Sequence, residues 1–152
     1  MLVGEKPAGN ILGGEIFDFT RTGPLTLEEA NDLVGVLIRV TSKYSKRVND
    51  LITRLEGCDI KDKEQTSKLE GEITRLIEEW NSQMRKLRGV PKGLWLVDID
   101  AGDGYYCWKY PETQIGFWHE YKSGYSGRIP LSERAKRVPA NFTKNVDEAG
   151  VI

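Results

Sequence analysis

The residue best suited to chemistry near neutral pH is His119, the only histidine in the chain. It lies between Trp118 and Glu120 near the end of a predicted strand, where an imidazole could act as an acid, a base or a ligand. Arg128 follows a glycine-containing turn a few residues later, and a guanidinium beside such a turn can bind an anion. We therefore treat four residues as a tentative ligand-binding site: His119, Trp118, Glu120 and Arg128.

Each of these residues also has a structural explanation, which the sequence leaves open. His119 could be an imidazole held by hydrogen bonds near a sheet edge. The glycines before Arg128 could serve a turn that needs glycine dihedral angles, with Arg128 paired to a carboxylate such as Glu120. The aromatic residues could line a ligand pocket, but such residues more commonly form core.

The sequence predicts neither a metal site nor a cofactor. A zinc site requires three or four protein ligands, and besides carboxylates the chain offers only Cys58, Cys107 and His119. In the strand register derived below, Cys107 and His119 point to opposite faces of the sheet. The aspartates from Asp98 to Asp103 lack the spacing of a calcium loop, and a hairpin turn explains them.

No residue is assigned a catalytic role. A serine nucleophile would have to be Ser126, but Gly124-Tyr125-Ser126-Gly127 does not match a nucleophile elbow, which needs glycine two residues away on both sides of the serine. Whether the protein is an enzyme stays open, and the sequence favours the view that it is not.

The elements that would position these residues begin with a long helix. Thr26 and Glu29 form a capping box, which predicts a helix start at residue 26. Gly57 then predicts its end at residue 56. The apolar residues between recur every three or four positions, along one helical face: Ala30, Leu33, Leu37, Val40, Tyr44, Val48, Leu51 and Leu55.

A second amphipathic helix is predicted over residues 63–88, antiparallel to the first because the connection is short. At about 1.5 Å per residue the longer helix spans roughly 45 Å. A small sheet cannot cover that length, so part of this coiled-coil-like hairpin must project or pack against another subunit.

Three strands follow, over residues 93–100, 105–110 and 114–121, as an antiparallel meander in an α+β domain. A two-residue loop at Gly102-Asp103 sets the first register, with Val97 opposite Trp108. A second loop at Pro111-Glu112 would set Phe117 opposite Tyr106. One face would then carry these residues: Trp95, Val97, Ile99, Tyr106, Trp108, Ile115, Phe117 and His119.

Residues 25–131 are interpreted as a single domain. Residues 1–24 are an N-terminal extension that contains one possible short strand, and residues 132–152 are a polar C-terminal tail.

Composition excludes several classes of protein. The formal net charge is −1, and residues 26–89 carry twelve basic and twelve acidic side chains, so we expect no nucleic-acid partner. No apolar stretch is long enough to span a membrane. Two widely separated cysteines do not form a disulfide framework, which favours reduced thiols and a cytoplasmic location.

Several motifs resemble those of the bacterial and archaeal family catalogued as domain of unknown function 2203. The resemblance covers residues 25–131 and rests on these segments: Leu25-Thr26-Leu27-Glu28-Glu29-Ala30-Asn31, Cys107-Trp108, Phe117-Trp118-His119-Glu120 and Gly124-Tyr125-Ser126-Gly127-Arg128-Ile129-Pro130-Leu131. It implies a small soluble prokaryotic protein without an assigned activity, and it carries no functional residue over to this chain.

The sequence supports two hypotheses about function. The first is an interaction or scaffold protein that forms a homodimer or binds a protein partner through its hairpin. The alternative is a small-molecule or anion-binding protein, or an enzyme, with its site around His119 and Arg128.

Overall fold

The computed structural model describes residues 10–12, 15–17 and 22–134. The helices are α1 (Leu27–Glu56), α2 (Lys63–Lys86) and α3 (Leu131–Arg134). The strands are β1 (Asn10–Leu12), β2 (Glu15–Phe17), β3 (Gly89–Gly93), β4 (Leu96–Asp100), β5 (Tyr105–Lys109), β6 (Phe117–His119) and β7 (Ile129–Pro130). Most of the predicted extension and nearly all of the predicted polar tail lie outside the described residues.

No helix within the described part of the chain has both the length and the apolar character needed to cross a bilayer.

The predicted capping box at the start of α1 is confirmed. The Thr26 hydroxyl accepts from the Glu29 backbone N–H at 3.1 Å, and the Glu29 carboxylate accepts from the Thr26 N–H at 3.0 Å. This exchange satisfies backbone donors that a helix start leaves without partners. Leu25, just before the cap, is buried and donates its N–H to the Asp100 carbonyl at 2.9 Å, which fixes the helix start against β4.

The two long helices pack together as the predicted antiparallel hairpin. Between them, the Trp80 indole N–H donates to the Thr41 hydroxyl at 2.9 Å, and neither side chain is exposed. Near the sheet, α1 contributes Ala30, Leu33, Val34 and Leu37 to the main core, and α2 contributes Trp80 and Met84. Farther out, Val48, Leu69 and Leu76 are buried but lie outside that core.

Over residues 22–134 the sheet has five antiparallel strands rather than the three that the sequence predicts. Their order is β3-β4-β5-β6-β7. The two additional strands form its edges. Each edge strand contains a proline, Pro91 in β3 and Pro130 in β7. The α+β class and the arrangement of a helical hairpin followed by an antiparallel sheet are confirmed.

The first predicted hairpin register is correct, because Val97 lies opposite Trp108 and Ile99 opposite Tyr106. The second register is wrong by one residue, because Tyr106 lies opposite Trp118 rather than Phe117. The loop from Tyr110 to Gly116 causes the shift. In it, the Trp108 indole donates to the Glu112 carbonyl at 2.8 Å, and the Ile115 N–H donates to the Asn31 side chain at 2.7 Å.

A one-residue shift in register moves every side chain of a strand to the other face of the sheet. Trp118 therefore joins the helix-facing core with Tyr106 and Trp108. His119 instead lies on the opposite face, beside the strand positions of Cys107 and Asp98. The prediction that Cys107 and His119 point to opposite faces is therefore wrong.

Candidate functional site

Three polar side chains meet on the face of the sheet that points away from the helices. Asp98 comes from β4, Cys107 from β5 and His119 from β6, so neighbouring strands contribute one residue each. Their exposed fractions are 2%, 0% and 1%. One carboxylate oxygen, the sulfur and one imidazole nitrogen all lie within 4.8 Å of one another. We call this group the buried triad.

Both nitrogens of the His119 ring have partners. Nδ1 lies 2.7 Å from the backbone carbonyl oxygen of Glu120, which can only accept, so Nδ1 carries a proton. Nε2 lies 3.0 Å from Oδ1 of Asp98. A hydrogen bond there needs one proton between the two atoms, on the imidazole or on the carboxyl group. The histidine and the aspartate therefore share a proton that is shielded from water.

Cys107 is a protonated thiol in this environment. Burial raises its pKa, the negative charge of Asp98 raises it further, and the neighbouring Arg128 guanidinium opposes both, with a result of about 12. Because the thiolate is the nucleophilic form, this cysteine is not a nucleophile at neutral pH.

Arg128 lies next to the triad and is itself firmly held. Its guanidinium forms an ion pair with the Glu112 carboxylate at 3.0 Å, rather than with Glu120 as the sequence suggested. It also stacks over the Phe117 ring at 3.8 Å and over the Tyr125 ring at 4.5 Å. These contacts hold the guanidinium close to Cys107.

Two backbone donors of the glycine turn before Arg128 have partners inside the turn. The Gly127 N–H donates to the Gly124 carbonyl at 2.9 Å, and the Arg128 N–H donates to the Tyr125 carbonyl at 3.1 Å. These two donors are used within the turn. Neither Gly124 nor Gly127 has a positive φ, so the turn does not need the dihedral angles that only glycine adopts easily, contrary to the structural explanation.

Tyrosine side chains cover the triad on one side. The Tyr105 ring lies 5.6 Å from the His119 ring, and Tyr121 packs edge-on against Tyr105 at 5.0 Å. The Tyr121 hydroxyl donates to Asp100 at 2.7 Å, and this hydrogen bond raises its pKa to about 12. The cover is thus held at the end of β4, which β5 separates from the strand of the histidine.

The four residues of the tentative ligand site fall into different places. His119 and Arg128 lie on the same face and are linked through Cys107. Glu120 contributes its backbone carbonyl, while its side chain is exposed. Trp118 lies on the opposite, helix-facing side, where its indole N–H is buried and has no partner among the described residues. Ligand binding by the four together stays a prediction.

Sequence reasoning missed Asp98 and Cys107 as partners of His119. Asp98 is the central residue of Leu96–Asp100, and Cys107 is the central residue of Tyr105–Lys109. The correct register of β6 would have predicted that they lie beside the histidine.

A second feature is the outer hairpin, which we define as residues 43–56 of α1 and 63–79 of α2. The Tyr44 hydroxyl donates to Glu79 at 3.4 Å at its inner end. Along it, several apolar side chains are only partly buried: Leu51, Ile52, Leu55, Ile73 and Ile77. An open groove of about 320 Å³ runs along one side and is lined by Leu51, Arg54, Gln65, Lys68, Leu69 and Glu72.

Comparison with known proteins gives one match. Residues 25–131 match the sequence model of a family described as "Uncharacterized conserved protein (DUF2203)". No curated protein and no solved structure matches the chain.

Proposed function

The chain belongs to the DUF2203 family, and we propose that it is an interaction protein that self-associates through the outer hairpin. The proposal places it in the cytoplasm, where the free thiols of Cys58 and Cys107 stay reduced.

One observation carries the proposal: the outer hairpin lies beyond the main core. The buried residues that α1 contributes to that core end at Leu37, although the helix continues to Glu56. Within residues 22–134, α1 and α2 beyond Tyr44 pack against each other, and an isolated pair of helices cannot enclose its apolar residues on all sides. A second hairpin would complete the burial in the manner of a four-helix bundle.

The charges of the outer hairpin favour a second copy of the same chain as the partner. Residues 43–56 carry four basic and two acidic side chains, while residues 63–79 carry three basic and five acidic ones. In a two-fold symmetric pair, α1 of one copy can lie along α2 of the other, so that opposite charges meet twice.

The proposal is tested by charge reversal with rescue. Lys43→Glu combined with Lys46→Glu makes outer α1 acidic, and Glu70→Lys combined with Glu78→Lys makes outer α2 basic; all four side chains are exposed. Each double variant alone should self-associate at least about 10-fold more weakly than the wild type, because like charges then face each other. An equimolar mixture of the two variants should pair again. Sedimentation velocity over a concentration series measures both.

The control is Lys122→Glu, an exposed charge change in the loop after β6, which should leave association unchanged. A wild-type protein that stays monomeric up to millimolar concentration would overturn the proposal. So would double variants that pair as tightly as the wild type.

A further inference from the structure

We propose that the buried triad of Asp98, Cys107 and His119 is a binding site for a transition-metal ion, with Zn²⁺ as the ion that its chemistry fits best. The site is separate from the outer hairpin, so the inference does not depend on self-association.

The ligand types are those that Zn²⁺ takes in proteins: a thiolate, an imidazole nitrogen and a carboxylate oxygen. They come from three adjacent strands, and their donor atoms already lie within 4.8 Å of one another. In a tetrahedral zinc site the donor atoms stand roughly 3.3 to 3.8 Å apart, given metal–ligand bonds of about 2.0 to 2.3 Å. Small side-chain rotations would bring the triad to that spacing.

The orientation of His119 meets the second requirement of a metal ligand. A ligating imidazole commonly donates its other ring N–H to a carbonyl or carboxylate, which fixes the ring. Here Nδ1 donates to the Glu120 carbonyl at 2.7 Å, so Nε2 is the nitrogen that faces the other two ligands.

The charges around the triad also suit a divalent cation. With the thiol and the carboxyl group ionised, the three ligands carry two negative charges, which neutralise a divalent ion in a buried site. Arg128 can donate a hydrogen bond to the sulfur, and its own charge is balanced by Glu112 at 3.0 Å. A thiolate ligand favours zinc over magnesium and calcium, which prefer oxygen ligands.

The geometry points to a role in holding the sheet together. One ion bonded to residues of β4, β5 and β6 would cross-link three neighbouring strands, which the chain itself connects through two loops. Three protein ligands leave one position for the second Asp98 oxygen or a water molecule. The limited exposure of the triad, at most 2% for each residue, suits a structural ion rather than one that turns over substrate.

The test uses Co²⁺ as a spectroscopic probe in place of Zn²⁺. The full-length protein, first treated with a chelator, is titrated with Co²⁺. We expect one equivalent to bind with a sulfur-to-cobalt charge-transfer band in the near ultraviolet and visible bands of tetrahedral intensity, and Zn²⁺ to displace it. Zn²⁺ at 100-fold excess over its Kd should also raise the Tm by about 5 to 10 °C.

Cys107→Ser and His119→Gln should each lower the metal affinity by at least about 100-fold, and Cys107→Ser should abolish the charge-transfer band. The matched control is Cys58→Ser, which removes the only other thiol and should leave the spectrum unchanged. The inference is overturned if folded wild type binds no Co²⁺, or if the band persists in Cys107→Ser and disappears in Cys58→Ser. Circular dichroism of the metal-free variants confirms that each is folded.

Discussion

At the scale of single residues, the buried triad is unusual because its three polar side chains lie in a buried region that apolar side chains could fill. Burial of a polar group costs free energy unless its hydrogen bonds are replaced. Here His119 gives one proton to a carbonyl and shares another with Asp98. The hydrogen bond between His119 and Asp98 therefore offsets part of the cost of burying both, and loss of either residue removes this partner from the other.

The two cysteines should react at very different rates in the metal-free folded protein. Cys107 is fully buried, and its raised pKa of about 12 keeps it protonated, whereas Cys58 is half-buried at the hairpin connection. We expect a disulfide reagent at pH 8 to modify Cys58 readily and Cys107 only after denaturation.

The measurement is the number of thiols that react with Ellman's reagent before and after addition of guanidinium chloride. Folded Cys58→Ser should show almost no rapid reaction, while folded Cys107→Ser should react like the wild type. Rapid reaction of both thiols in the folded wild type would contradict the burial of Cys107.

Sequence reasoning identified His119 as a residue that could act as an acid, a base or a ligand, but it did not identify the neighbours of His119. Its type and its position at the end of a strand are local information. Its partners Asp98 and Cys107 lie 21 and 12 positions earlier in the chain, and only the register of β6 brings them together. Trp118 was included in the tentative ligand site because it is adjacent to His119 in sequence, and the structure places it in the helix-facing core.

At the scale of elements, the turn between β4 and β5 packs tightly against β6 at Gly104. A Cβ there would meet the Trp118 ring at 2.5 Å and would press against the His119 carbonyl oxygen. Because one of these neighbours is backbone, the contact cannot be relieved by a change of rotamer. This close approach keeps β6 in its observed register.

We expect Gly104→Ala to lower the free energy of unfolding by more than about 2 kcal/mol, because the added methyl group forces strands apart. The matched change is Gly71→Ala in α2, where a Cβ meets nothing within 4 Å. That substitution should raise the free energy of unfolding by about 0.5 to 1 kcal/mol, since alanine is the better helix former. Urea denaturation measures both values, and equal effects of the two substitutions would contradict the argument.

The helices were predictable from sequence because their signals are local. The capping box, the apolar repeat and the loop length all lie within a few residues of the features they determine. The flanking strands β3 and β7 were not predicted, because one is a glycine- and proline-containing segment and the other has two residues. The register of β6 was missed because the preceding loop is shaped by Asn31, which lies 84 positions away.

At the scale of the whole molecule, the protein divides into a base and a projection. The base contains the sheet, the inner parts of α1 and α2, and the main apolar core. The projection is the outer hairpin, which ends at an exposed connection where Ile60 is 89% exposed. The proposed metal site lies in the base and the proposed association surface lies on the projection. Substitutions can therefore test either proposal without altering the other region.

Self-association through the outer hairpin should weaken as salt is added, because the charges that would meet across the interface are exposed. Raising the ionic strength from about 0.05 M to about 0.5 M shortens the screening length severalfold. We expect the dimer dissociation constant to rise by about 3- to 10-fold over this range. Sedimentation equilibrium at several salt concentrations measures it, and association that tightens with salt would indicate a purely apolar interface instead.

The prolines in the two edge strands of the sheet affect how readily the protein can aggregate at high concentration. An open border strand offers a row of N–H and C=O groups to which a neighbouring molecule can add, and such additions propagate into fibrils. Pro91 and Pro130 each remove one N–H from that row, and β7 is only two residues long. Addition of a further strand is therefore hindered at both edges of the five-stranded sheet that the described residues form.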